Sequence, residues 1–88
     1  MPIKTYYQNH IVTTSVRSFM TDNGRRTEWD CSLCGEFVGQ IDLRSGKPYK
    51  SLVQYEGEPY RFKHVGYYAS LTEAKRALLG PARDYLNA

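Results

Sequence analysis

No apolar run in this chain approaches the ~18 consecutive residues that a membrane-crossing helix needs, because polar side chains interrupt every hydrophobic stretch. A membrane partner is therefore not expected. The start, Met1 to His10, carries polar residues throughout and lacks the apolar segment and small-residue cleavage site of a secretory signal. With no lipidation pattern either, a cytoplasmic location is expected. Phosphate-cradling glycine loops are also missing, as is any nucleophile elbow around serine or cysteine, so an enzyme is not expected. Linkers, low-complexity segments and internal repeats are absent too. At 88 residues the chain reads as a single small domain over 1–88, with residues 1–10 forming either a flexible arm or a short strand.

Tyrosine is the entry in excess: eight, against three phenylalanines and one tryptophan. Its apolar ring and polar tip suit a half-buried strand, a wet interface or a base-stacking surface equally well. The formal net charge is +3. It resides entirely in the second half, where residues 45–88 hold seven basic and four acidic side chains against five and five before them. Such a balance permits nucleic-acid binding, yet it is modest beside the several phosphate contacts of a strongly salt-dependent binder.

Periodicity supplies the fold class. Ile11 to Met20 is rich in β-branched residues and free of glycine and proline, so it reads as a strand, followed by turn chemistry at Thr21-Asp22-Asn23-Gly24. Trp29, Cys31 and Leu33 alternate with polar residues; Phe37, Gly39, Ile41 and Leu43 repeat the pattern, with a short loop between. After a turn at Arg44-Ser45-Gly46-Lys47-Pro48, Tyr49 to Tyr55 is a further strand with Tyr49, Val53 and Tyr55 on one side. Beyond it, Tyr60, Phe62 and His64 face one way and Arg61, Lys63 and Val65 the other. Ser70-Leu71-Thr72-Glu73 has capping-box spacing and starts a helix, which Tyr67 and Tyr68 lead into and Gly80-Pro81 is expected to end. The expectation is an α+β fold: an antiparallel β-sheet of four to five strands packed against one C-terminal α-helix. The stretch from Trp29 to Leu79, a hairpin and further strands leading to a Leu-Thr-Glu-Ala-Lys-Arg-Ala-Leu helix, resembles three-stranded-sheet-plus-helix DNA binders of the AP2 and integrase arm-binding type. That resemblance implies a DNA partner and transfers no individual site residue.

Cys31-Ser32-Leu33-Cys34-Gly35 has the local form of a zinc knuckle, and His10 and His64 are the remaining strong ligands. The histidines lie far apart and outside any paired ligand spacing, while alternation turns Cys31 toward the core; no cofactor is expected. A redox role for the same pair would need a helix N-terminus, which the flanking strands do not provide. The remaining candidate is a surface on which rings interleave with cations: Tyr49, Lys50, Tyr55, Arg61 and Lys63, joined by Arg25 and Arg26 at the first turn. Rings on the core face with charges on the solvent face is the competing, purely architectural reading, and it assigns Tyr60 and Phe62 to the core. The functional expectation is a small non-enzymatic binding protein that engages nucleic acid through a basic and aromatic sheet surface. Its alternative is an accessory protein of the phage or mobile-element type that binds and blocks a host protein or nucleoprotein machine, since Tyr, Trp and Arg favour interfaces; a second alternative is a small zinc-binding domain using the Cys31–Gly35 knuckle.

Overall fold

The computed structural model describes residues 10–54 and 61–87. They form β1 (Val12–Thr21), β2 (Gly24–Leu33), β3 (Glu36–Arg44), β4 (Tyr49–Gln54), β5 (Phe62–Tyr68) and α1 (Leu71–Leu86). The strands make one antiparallel sheet in sequence order, so each neighbour in the chain is a neighbour in the sheet. This is the expected α+β architecture. Tyr55, Tyr60 and the strand expected over Ile3 to Gln8 lie outside the described residues.

Two turns show why the chain reverses where it does. At the β2–β3 connection Cys34 and Gly35 have φ of 54° and 80°. Positive φ at both central residues is the signature of a two-residue hairpin turn whose twist matches that of the strands. Gly46 supplies φ of 73° between β3 and β4, where the Lys47 amide donates to the Arg44 carbonyl at 2.9 Å.

The helix lies mainly across β4 and β5, then β3, and reaches β2 only at its margin. Ala74, Leu78 and Ala82, four residues apart along α1, are fully buried against Cys31, Leu33, Val38, Ile41 and Val53, with Ile11 alongside. Ser51 is buried among them and ties the layers together: its hydroxyl donates to the Ala74 carbonyl at 2.8 Å. The expected cap forms, with the glutamate's return bond one residue ahead of the cap. Ser70 Oγ accepts the Glu73 amide at 3.2 Å, and the Glu73 carboxylate reaches back to the amide of Ala69 at the same distance.

Three β-bulges break the simple alternation, between Thr13 and Ser15, at Val38 and at Val65. Cys31 pairs with Gly39 but Ser32 pairs with Phe37, so Val38 is the extra residue; it turns into the core, while Phe37 goes to the opposite face. The expected apolar row of Phe37, Gly39 and Ile41 is corrected accordingly. In β5 the register sets Phe62 beside Gln54 and His64 beside Leu52, on the face away from the helix. Phe62 is therefore not a core residue under α1; it packs edge-on against Phe37, ring centroids 6.2 Å apart. The Val65 bulge then brings Tyr68 to the helix side and leaves Tyr67 on the open one. Both tyrosines belong to β5, which is separated by two residues from the helix start at Leu71.

Gly80-Pro81 does not end the helix either. It runs on to Leu86 with Pro81 inside it, and Ala82, Tyr85 and Leu86 all pack on the core.

Candidate binding face of the sheet

With α1 on one side, no described element covers the other side of the sheet. On its β1–β3 half, charge is organised as a ladder of ion pairs. The Arg17 guanidinium grips Asp30 with two bonds of 3.0 Å and reaches Glu28 at 3.3 Å. Asp30 also accepts from Ser15 at 2.7 Å and from Gln40 at 3.2 Å. One rung along, Arg26 bridges Glu28 at 3.1 Å and Asp42 at 2.9 Å, with its guanidinium 6.0 Å from the Phe19 ring centre. Three carboxylates thus absorb Arg17 and Arg26.

The hydrogen bonds from Arg17, opposed by partial burial and helped by Ser15 and Gln40, hold the Asp30 carboxyl down at about 2. Because the folded-state pKa lies below the unfolded value of about 3.9, the stabilisation is complete above that value and disappears as pH falls toward 2. Water around the half-exposed Arg17 limits it to about 1 kcal/mol. Asp30→Asn is expected to cost that amount near neutral pH, and urea unfolding should show the gap to wild type closing between about pH 4 and pH 2. A gap independent of pH would mean that the ladder contributes nothing electrostatic.

Elsewhere on the face the cations are not neutralised in this way. Arg44 at the end of β3, Lys47 in the following turn and Lys50 in β4 line a depression of about 340 Å³ together with Asp42, Pro48 and Tyr67. Among the described residues none of these three cations forms an ion pair. Lys50 stands opposite Asp42 on one side and Tyr67 on the other. The Tyr67 ring is 60% exposed and leans on His64, centroids 4.8 Å apart. Asp42 is only 3% exposed; its Oδ2 is held by Arg26, and its Oδ1 has no hydrogen-bond partner among the described residues.

The sequence-derived site residues do not stay together. Lys50 lies on this face. Tyr49 faces the helix side and packs on the core, its ring 5.8 Å from that of Trp29. Lys63 is exposed but pairs with Val53, on the helix side of the edge strand, away from Lys50. Arg61 is exposed just ahead of β5. Arg25 donates to Ser18 at 3.1 Å on the distal hairpin, and Arg26 is occupied by carboxylates. Arg44 and Lys47 join the site only in the structure, although the sequence carries a signal for them: two cations bracketing a glycine turn, with Lys50 just beyond.

The four metal-ligand candidates are scattered. Cys31 is fully buried on the helix side, and burial, with some help from Asp30, pushes its thiol up to about 12. Cys34 occupies the turn, His10 is exposed ahead of β1, and His64 lies on the opposite face from Cys31. Among the described residues no three His, Cys, Asp or Glu side chains come together as ligands would. No described helix is long and apolar enough to cross a membrane. Compared with known proteins, the chain matches no family model, no curated protein and no solved structure.

Proposed function

We propose that this chain is a non-enzymatic binding protein that engages single-stranded nucleic acid across the open end of its sheet. One observation carries the reading: Arg44, Lys47 and Lys50 surround a depression beside the exposed Tyr67 ring, while the arginines elsewhere on the face are neutralised. Ammonium and guanidinium groups suit phosphate oxygens, and an exposed ring on a sheet offers a stacking platform for an unpaired base. A duplex hides its base faces and would leave Tyr67 unused.

Fluorescence anisotropy with labelled single-stranded DNA and RNA over a salt series tests it. Three phosphate contacts give an expected slope of log K against log salt of about −2, and Lys50→Ala should flatten it by about 0.7. Tyr67→Ala should weaken binding by about 1–3 kcal/mol with the slope unchanged, since stacking releases no counterions. Absence of binding at low salt, or binding indifferent to both substitutions, would overturn the reading.

A further inference from the structure

β1 is an edge strand of ten residues, and among the described residues no strand covers its outer side. The helix leaves it uncovered: α1 is about 24 Å long, whereas the molecule measures 48 Å along its longest axis. Val16 is 59% exposed and Met20 68%, on the same helix-side face of β1 with Ser18 between them, in a hairpin whose β2 the helix touches only at its margin. Unpaired strand edges attract other strands, and natural edges are usually protected by lysines, prolines or bulges. β5, the opposite edge, has a lysine, a bulge and a central glycine. Beyond its own bulge at Thr14, β1 has none of these, and Arg17 is its only charge.

We propose that β1 pairs antiparallel with β1 of a second copy of this chain about a two-fold axis at Ser18. Centring the axis on Arg17 would press two guanidinium groups together; moving it one residue on removes that conflict. Val16 then lies opposite the partner's Met20 on one face, and Arg17 opposite the partner's Phe19 on the other, an apolar contact and a cation–ring contact each made twice. The axis is normal to the sheet, so two five-stranded sheets become one of ten strands with both open faces on the same side.

Sedimentation of the whole chain tests this. A species of twice the chain mass, dissociating on dilution, is expected. Ser18→Glu sets two carboxylates against each other at the axis, while within one chain the new side chain meets Arg25 and spares the fold; it should sediment as monomer with an unchanged circular dichroism spectrum. In a Cys34→Ser background, Ser18→Cys should oxidise to a disulfide-linked dimer, because opposed strand residues lie within disulfide reach, while Asn23→Cys at the hairpin tip should not. Monomer mass at every concentration, or a dimer that survives Ser18→Glu, would refute the pairing. Oligonucleotide binding by the monomeric variant is read separately, so the loss of one proposal does not carry the other with it.

Discussion

Gly39→Ala is expected to unfold much of the population, at a cost of about 3 kcal/mol, the upper end of what overpacking usually brings. Intrinsic preference argues for the opposite sign: in a strand interior, glycine is less favourable than alanine by ~0.5–1 kcal/mol. Position decides between the two. Gly39 lies in the central strand, paired with Cys31 on one side and Val53 on the other, immediately after the Val38 bulge. A Cβ there would overlap the carbonyl oxygen of Leu52 and crowd the Val53 Cα at 3.2 Å. Both are backbone atoms, so no rotamer change relieves the contact; β4 must move away from β3, and with it Ser51 and its bond to the helix. A domain of this size has a total stability of roughly 4–13 kcal/mol, so the loss is a large share of it. Urea unfolding should show a much lower midpoint, and a midpoint equal to or above wild type would mean that the sheet relaxes around the methyl group.

The same bulge explains how far the sequence could be read. Turns and the helix start were legible because they depend on a few neighbouring residues: Asn23-Gly24, Cys34-Gly35, Ser45-Gly46 and the Ser70–Glu73 pair stand where local chemistry places them. Which face a strand residue adopts was legible only until the first bulge. Val38 and Val65 have nothing in their identity that marks them as inserted residues, and each one reverses the alternation between the residues before it and those after it. That is how Phe37 and Phe62 came to lie on the open face and Tyr68 under the helix. The candidate site suffered more than the fold, because it depends on faces. Tyr49 and Lys50 are consecutive, hence on opposite sides of β4, and no spacing in the sequence announces that Arg17 and Arg26 each meet a carboxylate on the neighbouring strand. What remains exposed and cationic on the open face is visible only once those pairs are drawn.

Pro81→Ala should stabilise the protein by about 2 kcal/mol, since an interior helical proline costs ~3 kcal/mol relative to alanine and relaxing the unfolded chain returns ~0.4–1 kcal/mol of that. Pro81 has no amide hydrogen for the carbonyl of Ala77, and its ring crowds that same carbonyl. Helices normally stop before such a residue, also because the proline Cδ strikes the Cβ of the residue preceding it. Here that residue is Gly80, which has no Cβ, and its φ is not in the positive range that a helix-ending glycine adopts. The helix therefore continues at reduced cost, held by buried Ala82, by Tyr85 and Leu86 on the core, and by the bond from Gln54 to the Tyr85 hydroxyl at 2.9 Å. The pair makes a sharper test than either residue alone. Gly80→Ala should gain nothing while Pro81 remains, because the new Cβ meets the ring, but should add ~1 kcal/mol in the Pro81→Ala background, where ordinary helix propensity applies. Thermal unfolding resolves this, at roughly 4–8 °C per kcal/mol for a domain of this length. Equal gains in both backgrounds would show that Gly80 is a neutral bystander, and that burial of the last turn alone carries the helix past its proline.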